Sequence, residues 1–234
     1  MKALLLLLSV GKLGKFLTTG GTMLLSVFAY AFVYGWWYAV GFVALIFAHE
    51  MGHFLAARSR GLQVGAPTFI PFVGAWIELK EQPLDAETEA FVGIAGPMLG
   101  SAAAFVCYLV ALDSGSGLLM ALAYSGFVLN LFNLIPLSPL DGGRIVGVVS
   151  PRIWLVGIPM LVGLFIWRPN PLLLLIALFA APQVWRLFKE RGMLNSDYYR
   201  TTPAVRLQYA AQYLLLAGTL ASMAFEAHQR LGGQ

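Results

Sequence analysis

The chain is a succession of apolar runs separated by short polar breaks. From Gly20 to Ala57 the stretch carries no charge except Glu50. As one helix rising about 1.5 Å per residue, this stretch would be nearly twice the ~30 Å hydrocarbon thickness of a bilayer. It must therefore turn, and Gly35, followed by Trp36, Trp37 and Tyr38, is the expected place, because aromatic rings favour the membrane interface. Further apolar runs predict spans at about 91–111, 118–137, 153–167 and 171–187, and a run at about 204–225 makes the total six or seven. The stretch 64–81 reads differently, with β-branched and aromatic residues punctuated by Pro67, Pro71 and Gly74, which suggests short strands with a bend. The expected fold is an all-α polytopic membrane protein of six or seven transmembrane helices, with a short membrane-associated β-hairpin between the second and third spans.

Composition agrees with the pattern. Apolar residues make up 59% of the chain and charged ones 11%, with a mean hydropathy of +0.77; a soluble domain carries about 25% charged residues. With the N-terminus in the cytoplasm, thirteen Lys and Arg fall on that side and only Arg168 and Arg230 on the other. The expected location is a cell membrane, multi-pass, with the lipid bilayer as a partner. The net charge of +4 then reflects topology anchors beside anionic headgroups and calls for no nucleic acid. Cys107 is the single cysteine and lies in a span, which excludes an internal disulfide and a thiolate zinc cluster. Met1 to Leu17 has the look of a signal peptide, but Lys12 and Lys15 follow the apolar stretch and no small-residue cleavage site appears. Residues 1–20 are expected as a basic segment on the membrane surface, 21–150 as a catalytic membrane core, and 151–234 as accessory helices with a C-terminal tail.

Candidate chemistry sits inside the second run, at His49-Glu50-Met51-Gly52-His53. Residues four apart share a helix face, so both imidazoles can grip one metal ion while Glu50 reaches a water on it. Two hydrogen-bonding helix histidines are the plainer reading, but imidazoles and a carboxylate in lipid are costly without a purpose.

A catalytic zinc takes three protein ligands and keeps one position open. The extended HExxHxxGxxH signature fails, because Ala56 and Ser59 occupy its Gly and His positions. His228 belongs to the opposite membrane side, and Pro83 argues against a ligand helix carrying Glu81 and Asp85. Asp141 remains, in the run Asn133-Leu-Ile-Pro136-Leu-Ser-Pro139-Leu-Asp141-Gly142-Gly143-Arg144. Two prolines break the helix there and two glycines let the backbone bend, so the carboxylate can point into the bundle. Taken alone, the same run would make a surface turn. Its depth favours the ligand: His49 and His53 lie roughly 7 to 14 Å inside the cytoplasmic edge marked by Arg58, and Asp141 ends a span on that edge.

HEMGH at 49–53, the Gly93-Ile-Ala-Gly96-Pro97 segment and NLIPLSPLDGGR at 133–144 together resemble the site-2 protease family of intramembrane zinc metalloproteases, over a core of about 21–150. The resemblance implies that His49, His53 and Asp141 bind one Zn²⁺ per chain and that Glu50 is the catalytic base. It further implies that Asn133 steadies the substrate backbone or the developing oxyanion, and that the substrates are transmembrane proteins cut within or near their membrane segments. Against the family's pattern, no PDZ-like insertion and no C-terminal nucleotide-sensing domain are expected for this sequence.

Asn130 also offers a side-chain amide, though a helix–helix hydrogen bond is the better reading for it. Gly93, Gly96 and Gly100 at helical spacing suggest close packing against the His-bearing helix. Residues 64–81 could pair with an unwound substrate by strand addition, or simply form a hairpin packed on the bundle. Two other functions compete with proteolysis: a zinc-binding membrane transporter, and a non-proteolytic helix-binding regulator. The first needs ligands continuing across the membrane, and the second has no need of Glu50.

Overall fold

The computed structural model describes the backbone of residues 2–76, 83–189 and 196–233, and the side chains in those ranges from residue 18 onward, Trp76 excepted. The first helix, α1 (Lys2–Tyr34), is joined to α2 (Trp36–Ser59) by Gly35 alone. Gly35 has φ 84, a left-handed value that only a residue without Cβ takes readily, and it lets the chain reverse in a single residue. The two helices then pack side by side through Tyr30, Ala39, Val43 and Ile46.

Between α2 and the next helix stand two short strands, β1 (Thr68–Ile70) and β2 (Gly74–Trp76). They are antiparallel, with Thr68 opposite Trp76, Phe69 opposite Ala75 and Ile70 opposite Gly74. The Phe69 N–H donates to Thr22 Oγ1 on α1 at 3.2 Å, so it points away from β2. Because facing pairs alternate between bonded and non-bonded, Ala75 likewise turns its N–H and C=O outward. One edge of the pair is therefore closed by α1, and the other, at Ala75, faces away from it. At the tip, the Val73 N–H donates to the Ile70 carbonyl at 3.1 Å and Phe72 has φ 62. That conformation costs a side-chain-bearing residue about 1–2 kcal/mol. It is held by a bond from the Phe72 N–H to the Tyr30 hydroxyl at 3.1 Å and by an edge-on contact of the two rings. Residues 77–81 of the stretch read as strand, Glu81 among them, lie outside the described residues.

The third helix, α3 (Ala86–Ser114), begins five residues before the expected span. Asp85 caps it by accepting from the Thr88 N–H at 2.7 Å, and Glu87 and Glu89 place negative charge in its first turn, where the helix dipole favours it. It ends at Gly115, in the left-handed region, and Ser116 at once caps α4 (Gly117–Asn133). Then follow α5 (Asp141–Val149), a 3-10 turn at Pro151–Ile153, α6 (Trp154–Trp167), α7 (Pro171–Lys189), a second 3-10 turn at Asp197–Tyr199, and α8 (Pro203–Gly232).

α3 is the centre of the bundle, packing on α2, α4 and α5, while α8 closes the far side of α4 and α5. Leu45, Ala90, Ile94, Ala104, Phe127 and Ile145 fill the space between these helices. The polarity is inverted relative to a water-soluble protein. His49, Glu50, His53, Asn130 and Asp141 are buried, whereas Phe32 is 93% and Trp37 81% exposed, an arrangement that suits a lipid surround. By length and composition α2, α3 and α7 can cross a membrane, and 18–34, 117–133 and 151–167 are shorter apolar helices. This is a helical membrane protein.

Candidate metal centre

His49 and His53 project from successive turns of α2, with their rings nearly perpendicular and Nε2 atoms 3.1 Å apart. Asp141, the first residue of α5, reaches both: Oδ2 lies 3.1 Å from His49 Nε2 and Oδ1 3.2 Å from His53 Nε2. All three side chains are buried, and their ligand atoms fall within 4.8 Å of one another.

The chain delivers Asp141 by stopping α4 at Asn133 and folding 134–140 back beneath it. Pro136 and Pro139 cannot continue a helix, and α4 accordingly ends four residues before the expected boundary. The loop is pinned from outside by the Tyr213 hydroxyl, which donates to the Leu134 carbonyl at 2.6 Å, and the start of α5 by Trp154 Nε1, which donates to the Gly143 carbonyl at 2.8 Å. Gly142 and Gly143 do not bend the backbone, contrary to expectation. They lie in the first turn of α5 without positive φ, and side chains there would strike the backbone of Leu134 and Ser138. Their smallness lets the loop lie directly on the helix that carries Asp141.

Hydrogen bonds around the rim settle which nitrogens face the centre. His53 Nδ1 lies 2.8 Å from the Val92 carbonyl, which can only accept, so the proton is on Nδ1. His49 Nδ1 lies 2.8 Å from Asn130 Oδ1, and Asn130 Nδ2 donates to the Gly126 carbonyl at 2.7 Å, which leaves Oδ1 as the acceptor. In the neutral tautomers that these bonds select, both Nε2 atoms are free to ligate and face each other and a carboxylate. The three groups stand close enough to share one metal ion, and two imidazole nitrogens with one carboxylate oxygen form the donor set of a zinc site that keeps an open position. The residues fit the ion.

Glu50 is buried beside this cluster and lies within electrostatic reach of His49, His53, Asp141 and Arg144. Gly96 seats His53: any Cβ there would collide with the imidazole at Nε2 and Cε1. Gly100 faces the Asn130 carboxamide and Gly93 the Arg144 side chain on α5. The glycine stripe thus meets three helices, and its Gly96 alone bears on the His-bearing one. Above it, Arg144 Nε stands 3.8 Å from Glu89 Oε1, and the Tyr198 hydroxyl donates to Glu89 Oε2 at 2.6 Å. Burial and the Glu89 carboxylate hold the Tyr198 phenol well above its ordinary pKa.

Of the two asparagines, Asn130 touches the centre, so its helix–helix bond runs to a candidate ligand. Asn133 Nδ2 donates to the Leu129 carbonyl of its own helix at 3.1 Å. Two of the rejected ligands stay apart: Asp85 serves as a helix cap, and His228 of α8 lies against Tyr124 of α4. Sequence reasoning did not identify the Val92 carbonyl, and a backbone partner leaves no residue signal. Asn130 did leave one, as an amide in an otherwise apolar run.

Residues 37–117 match the model of Peptidase family M50. The chain is 32% identical over 123 residues to the zinc metalloprotease MJ0392 of Methanocaldococcus jannaschii, covering 49% of this chain and 35% of that protein. It is 25% identical over 155 residues to an Arabidopsis thaliana protein named "Probable zinc metalloprotease EGY1, chloroplastic", covering 46% of this chain and 28% of the other. A protein of Oryza sativa subsp. indica named "Probable zinc metalloprotease EGY2, chloroplastic" is 29% identical over 157 residues, covering 48% and 28%. The chain thus spans about a third of the length of these relatives. Over this core, the chain is similar to peptidase family M50 and to proteins named zinc metalloproteases.

Proposed function

We propose that the protein is an intramembrane zinc metalloprotease that hydrolyses peptide bonds within or near transmembrane segments of membrane proteins. The observation that carries this reading is the meeting of the His49 and His53 Nε2 atoms and the Asp141 carboxylate at 3.1–3.2 Å, with Glu50 buried alongside.

In this reading His49, His53 and Asp141 hold one zinc ion. Bound there, zinc supplies Lewis acidity, acidifying a water and polarising a carbonyl. Glu50 takes a proton from the water as its oxygen bonds to the scissile carbonyl carbon. The same carboxyl then returns the proton to the amide nitrogen as the C–N bond breaks, so Glu50 ends as it began. Asn133 is assigned to the substrate, steadying its backbone or the developing oxyanion. Its amide must first leave the Leu129 carbonyl, which costs one helix back-bond.

A peptide bond in a helix is sheathed by its own hydrogen bonds, so the substrate must be held extended. The edge of β2 at Ala75 supports a role in strand addition, since its N–H and C=O point away from β1 while α1 occupies the opposite edge. We assign the hairpin to the membrane between the second and third of six or seven spans. The site is placed towards the cytoplasmic side of the cell membrane, residues 21–150 form the catalytic core, and 1–20 and 151–234 are accessory. A zinc transporter is disfavoured because, among the described residues, no second cluster of His, Cys, Asp or Glu continues the path. A purely helix-binding regulator has no use for the buried Glu50.

Co-expression of the chain with single-pass membrane proteins tests the proposal. Fragments ending within a membrane segment should appear with the parent and vanish with Glu50→Gln or a membrane-permeant zinc chelator. Fragments that persist in both would overturn it.

A further inference from the structure

We infer that Asn130 is a positioning residue that fixes the orientation of His49 for metal binding, and that Gly100 keeps open the space its carboxamide needs. The inference rests on the zinc reading above. Asn130 is 1% exposed, on the face of α4 turned towards α2. Its two ends are committed in different directions. Nδ2 donates to the Gly126 carbonyl on its own helix at 2.7 Å, which sets the flip of the amide. Oδ1 is thereby aimed at His49 Nδ1, 2.8 Å away.

That second bond fixes both the tautomer and the rotation of the ring. With Nδ1–H held, His49 presents Nε2 as its lone-pair nitrogen, in a rotamer pointing at His53 and Asp141. His53 receives the same service from the Val92 carbonyl, a backbone group that substitution does not remove. His49 depends on a side chain, so it is the ligand whose aim a point mutation can spoil. Gly100 on α3 completes the device, because a Cβ there would press on both Oδ1 and Nδ2 of Asn130. Three helices therefore converge on one hydrogen bond.

An amide that merely fastened helices together would look similar, and Asn130→Asp separates the two roles. A carboxylate keeps the acceptor for His49 Nδ1–H and makes it stronger, but it gives up the donor to Gly126. Asn130→Leu removes both at similar volume. The full-length chain in detergent, stripped with a chelator, should be titrated with Zn²⁺ against a chromophoric competitor. Co²⁺ absorption then reports ligand geometry, and thermal unfolding of the metal-free protein reports the fold.

Asn130→Leu should weaken zinc about 10- to 100-fold and alter the cobalt spectrum, while Asn130→Asp stays within about threefold of the parent or binds more tightly. Gly100→Ala should weaken zinc in the parent but add little in the Asn130→Leu background, as expected for two changes acting through one contact. Parent-like affinity in Asn130→Leu overturns the inference and leaves the zinc reading standing. Asn130→Asp as weak as Asn130→Leu also overturns it, assigning the amide to fastening α4. If Asn130→Leu does not fold, Asn130→Asp and Gly100→Ala decide: weak zinc in the first, or parent-like zinc in the second, removes the role. A parent chain that takes up no zinc overturns the metal reading, and this inference with it.

Discussion

Asp141 Oδ2 lies 3.1 Å from His49 Nε2, although the two residues sit on helices that are held in place by a third. α3 packs against both α2 and α5, with Gly96 receiving the His53 ring on one face and Gly93 receiving Arg144 on another. The spacing of the candidate metal ligands is therefore set by how thin α3 is at these positions.

Gly96→Ala tests this relationship. The added methyl would occupy the place of the His53 imidazole, and neither Val92 nor Asp141 could keep its bond to a displaced ring. Zinc affinity should fall by at least the 10- to 100-fold seen when ligand orientation is lost. Metal analysis of the purified variant checks it, and parent-like zinc content would show that the ring position is not needed.

Asp141→Asn replaces a carboxylate by a neutral amide, a poor ligand for a divalent ion. Zinc should drop well below one per chain, whereas Glu81→Gln should hold the parent amount. The reverse ranking, measured by elemental analysis after dialysis, would transfer the third ligand to Glu81.

The substrate edge predicts a specific asymmetry. Ala75→Pro removes an N–H that points away from β1, so the bonded pairs at Thr68–Trp76 and Ile70–Gly74 survive while a docking strand loses a donor. Cleavage should fall several-fold with zinc content unchanged, whereas Ala75→Val, which keeps the N–H, should cleave at near the parent rate with altered site preference. Equal rates in Ala75→Pro and the parent would make the strands a structural hairpin alone.

The parts of the site legible in sequence were those governed by local periodicity. His49 and His53 share a face because a helix repeats every 3.6 residues, and no tertiary knowledge is needed to see it. The Gly35 reversal was legible for the same reason, in a run too long for one span. Asp141 could be placed by membrane side and depth, but the loop that delivers it depends on Tyr213 and Trp154, which lie far along the chain. Gly142 and Gly143 looked like bend residues because composition does not distinguish a sharp backbone from a crowded one. Asn130 hid its partner because identifying it requires the rotation of α4 about its axis relative to α2, which is set where Asn130 packs on Gly100 and where Gly126 packs on Ala104 and Leu45. The edge order of the hairpin was equally out of reach, since it is decided by one hydroxyl on α1, that of Thr22.

Asn133→Ala should separate substrate from metal in the opposite sense to Asp141→Asn. With the amide gone, turnover should slow by roughly 10²-fold, the order found for a lost oxyanion donor. Zinc content should stay that of the parent, since the Asn133 amide bonds to Leu129 and to no candidate ligand. Loss of zinc in this variant would place Asn133 in the metal shell.

The most direct test is a paired measurement on Glu50→Gln, purified in detergent with a transmembrane substrate. The amide is nearly isosteric, and none of the three ligand atoms belongs to residue 50. Zinc content should therefore match the parent at about one ion per chain, while turnover falls by the 10²- to 10⁴-fold, roughly, that a lost general base costs. Parent-like turnover with zinc in place would contradict the assignment of Glu50 and the proteolytic mechanism built on it.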